Sequence, residues 1–267
     1  MEIKLNKYWQ ITKTTISNNI VYFWDFLGRN IFFVFIMFIY LMLWKAIYGQ
    51  KPGETLGGLT LNGIIWYLVV TELVTLSKSN VFSQINEDIK GGAIAYQLNK
   101  PYSYILYCLS TSIGDIAVKL FTNSIAGIAV GLLFVGPLGG FSIINLPFII
   151  LSLLAGCLLN FLIYMSLALT SFWMEENTAF FWIYSKLVFT LGGMLLPIDM
   201  FPLWLQRISA YLPFAYVTYT PARLAVDFSM NRFARGFSIQ LIYIAVFAVI
   251  SAVMYRRGVR NVNVNGG

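Results

Sequence analysis

A chain of 267 residues that is 58% hydrophobic, 17% aromatic and only 11% charged is not an ordinary soluble domain, because soluble domains carry roughly 25% charge. Its mean hydropathy of +0.73 and net charge of +7 suit a bilayer, where a basic excess reports loop placement and anionic lipid rather than nucleic acid. The absence of histidine removes the commonest metal ligand and general base together, and Cys108 and Cys157 form neither a zinc motif nor a disulfide framework.

The polar opening MEIKLNKYWQITK has no cleavable apolar core, so no signal peptide is expected. Residues 3–24 predict an amphipathic helix. Leu5, Trp9, Ile16, Ile20 and Phe23 recur at helical spacing, with Lys4, Lys7 and Lys13 near the other side, a pattern suited to the headgroup plane. A first span is predicted over about 26–48, with Arg29 and Lys45 near its ends, where long side chains snorkel to water. The turn-rich GQKPGETLGG (49–58) leads to a second span over about 59–77 that carries one carboxylate, Glu72.

The next stretch, INEDIKGGAIAYQLNKP (85–101), is the one charge-dense interval between apolar spans. Ile85 and Ile89 lie one helical turn apart, while Glu87, Asp88 and Lys90 occupy other faces. Gly91 and Gly92 end that helix, a second apolar turn runs through Ala93, Ile94, Tyr96 and Leu98, and Pro101 forces Lys100 to be extended. The result is a bent hook, too polar to enter the bilayer. On pattern alone it reads equally as a solvated loop with two helical turns.

A long helix then begins near Tyr102 and supplies a third span over about 111–135, with Asp115 and Lys119 spaced to pair. A charge-free turn (136–147) precedes a fourth span over about 148–172, closed by MEEN (174–177). The fifth runs over about 178–196 and ends at Gly192, Gly193 and Pro197. Residues 197–235 are proline-punctuated yet apolar, and the sixth span, about 237–254, ends in YRRGVR and a polar tail. The expected fold is therefore all-α, with six transmembrane helices and both termini on one side. Placing the termini in the cytoplasm puts most of the lysines and arginines inside, and the hook with them. No GxxxxGK[ST], no Ser–His or Cys–His pair and no intramembrane acid cluster occurs, so ATP hydrolysis and covalent chemistry are not expected of this chain.

Three stretches carry a resemblance: NEDIKGGAIAYQLNKPYSYILY, PIDMFPLWLQRISAYLPFAY with the later PARL, and the ending YRRGVRNVNVNGG. Together with the polar first helix they resemble the permease subunit of bacterial ABC-2-type transporters, in the branch often encoded as unlike permease pairs beside one ATPase. Lys90 departs from the pattern, standing where relatives often carry arginine. The resemblance implies that residues 85–98 are a coupling helix seated in a groove of a cytoplasmic ABC ATPase. Ile85, Ile89 and Ile94 would be its apolar knobs, and Glu87, Asp88, Lys90 and Gly91 would complete the contact. It implies two short helices over 198–221 re-entering the outer leaflet, broken at Pro202, Pro213 and Pro221. It also implies a second six-span permease, identical or unlike, with the path between the halves lined by spans two and five. ATP and Mg would sit on the ATPase, with no cofactor in this chain, and the location would be the bacterial cell membrane.

Candidate path or gate residues are Trp66, Tyr67, Glu72, Phe181, Tyr184, Lys186 and Phe189. The aromatic ones read equally as core or interfacial belt. Glu72 and Lys186 fall at similar depths and could pair if their spans are neighbours, or snorkel separately. The expected activity is export of an amphiphilic or hydrophobic small molecule or lipid. The competing reading is an ATP-independent channel or secondary transporter that uses Glu72 and Lys186.

Overall fold

The computed structural model describes residues 2–21, 23–49 and 55–265. The stretch 50–54 and the side chains of Lys4, Leu5, Phe23, Phe26 and Arg29, on which sequence expectations fall, lie outside the described residues. The described chain is helical: α1 (Glu2–Val21), α2 (Phe23–Tyr48), α3 (Leu61–Leu76), α4 (Val81–Lys90), α5 (Ala93–Leu98), α6 (Tyr104–Val135), α7 (Leu146–Ala168), α8 (Thr178–Leu191), α9 (Leu203–Ala210), α10 (Pro213–Val217), α11 (Tyr219–Val226) and α12 (Met230–Asn265).

Among the described residues, four helical segments are long and apolar enough to cross a membrane: Ile31–Tyr48, Tyr104–Val135, Ile143–Phe172 and Met230–Arg260. The expected second and fifth spans are shorter. Helix α3 has 16 residues, about 24 Å, and α8 has 14, about 21 Å, stopping at Leu191 rather than continuing to 196. The physical reason for the early stop is Gly193, whose φ of +74° no other residue adopts cheaply.

Helix α3 is short because it is enclosed. It is buried along most of its length and packs on α2, α6 and α11. Thr60 Oγ1 caps it by accepting from Gly63 N (3.2 Å), and Asn62 Nδ2 donates to Val135 O (2.8 Å), tying its first turn to the end of α6. Among the described residues the core has two large lobes and a small cluster of Ile149, Leu224 and Phe233. One gathers Phe33, Met37, Ile64 and Leu68 around α3. The other gathers Ile85, Ile94, Leu159 and Met165 beside the hook, and Leu153 and Tyr219 touch both.

Contacts sort the ends of the helices into two groups. Lys7 Nζ donates to Pro101 O (2.6 Å), Tyr255 stacks on Tyr104, and Asn177 meets Asn86, so α1, the hook, the turn before α8 and the end of α12 share one end. The opposite end gathers Asn62 with Pro137, and Phe148 with Phe228 and Phe233. Helix α1 is not the isolated in-plane helix that its amphipathicity suggests. Tyr8 meets Ser103, Thr12 meets Ser110 and Asn19 meets Asp115, in order, so α1 runs beside α6 in the same direction. Gly114 permits this, since a Cβ there would lie 2.8 Å from Thr12 O.

In place of two short helices over 198–221, residues 198–226 form a single 3-10 turn (Ile198–Met200) followed by the three short helices α9, α10 and α11. The breaks at Pro202 and Pro213 fall as expected, but Pro221 sits inside the first turn of α11, where a missing N–H costs nothing. The third break is instead at Thr218. At that corner Thr218 Oγ1 donates to Gly192 O (2.7 Å), and a Cβ on Gly156 of α7 would lie 2.6 Å from Val217 O. The same segment carries a buried ion pair. Arg223 Nε lies 3.2 Å from Asp199 Oδ2, a charge contact without hydrogen-bond alignment, and Arg223 also meets Asp227, which Arg232 shares. Tyr219 Oη donates to Asp199 Oδ1 (2.9 Å).

Two outcomes follow from this packing. Gly156→Leu is expected to lower the thermal stability of the purified protein by about 2 kcal/mol, because backbone and not a flexible side chain meets the new atoms; Gly139→Leu, which faces open space, is expected to leave it unchanged. Arg223→Met is expected to cost about 3 kcal/mol, and Asp199→Asn less, since Arg223 then keeps Asp227 while Asp199 would keep only Tyr219. Melting curves of the two singles and the double mutant check the asymmetry.

Candidate functional site

The hook is built around Gly92, whose φ of +75° reverses the chain between α4 and α5. The reversal brings Ile94 under α4, so Ile85 and Ile94 are 0% and 2% exposed in the bundle's own core. Ile89 is half-buried against the same core. The isoleucines expected to point at a partner therefore point inward. The reason is that Ile85 and Ile89, with Val81 and Phe82, form the apolar stripe of α4, to which α5 adds Ile94, and the apolar surface that covers it is α7. What the hook presents outward is Glu87, Lys90, Gly91, Gly92 and Tyr96, the last 69% exposed.

The inward side is braced by polar contacts as well. Tyr104 Oη, at the start of α6, donates to Asp88 Oδ2 (2.6 Å) and its ring stacks on Tyr255 of α12. Asp88 thus serves the bundle rather than an outer rim. Asn177, wholly buried just before α8, donates to Asn86 Oδ1 (3.0 Å), Thr170 Oγ1 (3.1 Å) and Leu167 O (3.2 Å). The rings of Phe82 and Phe181 are 4.9 Å apart. Hook, α7 and the first turn of α8 are therefore fastened together.

Above the hook lies a cationic cluster. Lys78 Nζ sits over the rings of Phe181 (4.9 Å) and Tyr164 (5.6 Å). Burial pushes its pKa below the usual ammonium value, and Lys119 adds to the shift. Lys119 Nζ donates to Lys78 O (2.9 Å) and pairs with Asp115 Oδ2 (2.7 Å), the i,i+4 pairing expected from the spacing.

The candidate path residues are mostly engaged in packing. Trp66 Nε1 donates to Gly136 O (3.1 Å), and its ring covers Gly131. Tyr67 Oη donates to Gly193 O, and Tyr184 Oη to Asn160 Oδ1 (2.7 Å). Phe189 is half-buried with Lys186 Nζ 6.0 Å above it. Glu72 is buried within α3, Lys186 is exposed on α8, and no ion pair joins them; α8 packs on α7 and α10 instead. The exposed residues of α8 are Thr178, Ala179 and Phe180 in its first turn and then Trp182, Ile183, Lys186 and Thr190, which lie along one side of the helix.

Sequence reasoning passed over Asn86 with Asn177, the rings around Lys78, and Asp199 with Arg223. Signals existed for two of them: an asparagine directly before a predicted helix, and opposite charges inside an apolar segment.

No curated protein matches the chain. The family described as ABC-2 family transporter protein matches residues 34–266, which takes in the hook, the buried Asp199–Arg223 pair and the whole bundle except α1 and the start of α2. With nearly the full length matched and apolar helices throughout, the chain belongs to the ABC-2 family of transporter proteins, as an integral, multi-pass membrane component that is not itself catalytic.

Proposed function

We propose that the chain is one permease half of an ATP-driven exporter and that the α4–α5 hook couples it to a separate cytoplasmic ABC ATPase. The observation that carries this reading is the hook's division of labour. Its apolar stripe is consumed by the bundle and its other side presents Glu87, Lys90 and the exposed ring of Tyr96. A loop that served only as a connection would need no such bracing. In this reading the ATPase contact falls to Glu87, Lys90, Gly91, Gly92 and Tyr96, with Tyr96 as its aromatic anchor. Ile85, Asp88 and Ile94 hold the hook in place, and Ile89 lies at the edge. ATP and Mg belong to the partner.

The chain would cross the membrane six times, with α3 and α8 as spans shielded by their neighbours, both termini and the hook in the cytoplasm, and α9–α11 dipping back from the outside. Support comes from the two groups of helix ends and from the contact of α9–α11, the cap of the bundle, with Gly192, where α8 ends. Backbone at that depth must be satisfied within protein. The exposed stripe of α8 would face a second permease half, identical or of the unlike-pair kind, and the amphiphilic or hydrophobic cargo, small molecule or lipid, would pass between them. Trp66 and Tyr67 then support the path rather than line it. The alternative of an ATP-independent channel gated by Glu72 and Lys186 finds no contact between those two residues to build on.

Tyr96→Ala is expected to reduce co-purification of the ATPase by about tenfold, equivalent to about 1.4 kcal/mol, without changing the melting temperature of the permease. Ile85→Ala is expected to do the reverse, costing about 2–5 kcal/mol of stability. Unchanged ATPase capture by Tyr96→Ala would remove the hook from the interface. For orientation, a cysteine at Gly139 should react with an impermeant thiol reagent outside intact cells and one at Ser83 should not, in a background where Cys108 and Cys157 are serine. The opposite labelling pattern would invert the topology.

A further inference from the structure

The seam between α1 and α6 is closed at Gly114 and opens beyond it. There Ile16, Ile20, Ala117, Val118 and Phe121 line an apolar groove of about 340 Å³. At Asn19 this groove meets a second, polar pocket of about 180 Å³, lined among others by Thr15, Ser79, Gln84, Thr111 and Asp115. Asn19 borders both. Ser79 is only 9% exposed, and its Oγ has no hydrogen-bond partner, an arrangement that costs free energy unless something fills the pocket.

The order of the two compartments along α6 matters. From Asp115 to Val135 the helix rises about 30 Å, the thickness of the hydrocarbon layer. The apolar groove, at 117–121, therefore lies within that layer, and the polar pocket, at 111–115, lies just past its edge on the side of the hook. We infer that these joined compartments bind one membrane phospholipid with an ammonium headgroup, its acyl chain in the α1–α6 groove and its head among Ser79, Thr111 and Asp115.

The headgroup charge follows from the lining. The pocket offers a carboxylate, hydroxyls and side-chain amides, a set rich in acceptors for an ammonium group. The nearby cations are committed, Lys119 to Asp115 and the carbonyl of Lys78, and Lys78 to the rings of Phe181 and Tyr164. With Asp115 balanced by Lys119 the lining carries no net charge, so a zwitterionic head brings no unpaired charge into the pocket and a net-negative one does. This inference stands on the membrane location alone and does not depend on the ATPase reading.

The test is native mass spectrometry of the purified full-length protein with phosphatidylethanolamine or phosphatidylglycerol added in detergent. The wild type is expected to retain one phosphatidylethanolamine per chain, favoured by about fivefold over phosphatidylglycerol. Ala117→Trp and Ile16→Trp fill the groove from opposite walls and are each expected to abolish retention, and two walls guard against one variant failing to fold. Ile144→Trp, exposed at the far end of the bundle, is expected to keep the lipid. Retention by a folded groove-filling variant, or equal retention of the two lipids by the wild type, would overturn the assignment.

Discussion

A helix that stops inside an apolar bundle leaves carbonyls that water cannot reach, and the fold is arranged around satisfying the ones at Gly192 and Gly193. Thr218 supplies one hydroxyl and Tyr67 the other. Each donor has a structural cost. Thr218 reaches Gly192 only because α10 and α11 break apart at that residue, and Gly156 must lack a side chain for the corner to seat against α7. Tyr67 reaches Gly193 only from the enclosed face of α3, which keeps that helix central. The alternative, an unpartnered carbonyl in a low-dielectric interior, costs several kcal/mol. One interrupted helix thus accounts for the position of the cap, the burial of Tyr67 and the glycine in α7.

The far end of the cap meets a different demand. Arg223 is an unusual residue to bury among apolar helices, and Asp199 and Asp227 offset its charge from both sides. This also resolves an oddity of the basic-residue count, in which four arginines fall in the segment after the fifth predicted span. Arg223 and Arg232 are both neutralised locally and so say little about which side of the membrane they occupy.

Much of the architecture was legible in the sequence because hydropathy and glycine placement report it directly. The bends at Gly91–Gly92 and Gly192–Gly193, the Asp115–Lys119 pair and the long α6 all follow from local pattern. The direction in which the hook faces does not. Periodicity reveals that Ile85 and Ile89 share a stripe, but whether the stripe meets this chain or another depends on the position of α7, some eighty residues away in sequence. Pro221 misled for a related reason: proline forbids helix before it more reliably than it forbids helix around it, and in a first turn it is at home. Depth alone put Glu72 and Lys186 together, and the packing of α8 on α7 and α10 keeps them apart.

The fastening of α4 to the first turn of α8 has a mechanical meaning. Asn177 and the Phe82–Phe181 contact fix one end of α8 to the hook, while the other end stops at Gly192–Gly193, whose carbonyls are held by Thr218 and Tyr67. Such a rod is held at both ends, so a displacement imposed at the hook would be passed to α3 and to the corner at Thr218. Its length is about 21 Å, so a tilt of about 10° imposed at the hook would sweep the far end by about 4 Å. The shortness of α8 then sets where such a displacement would arrive: a continuous helix through residue 196 would have joined the hook to the α9–α11 segment by one unbroken rod, with no corner at Thr218 between them.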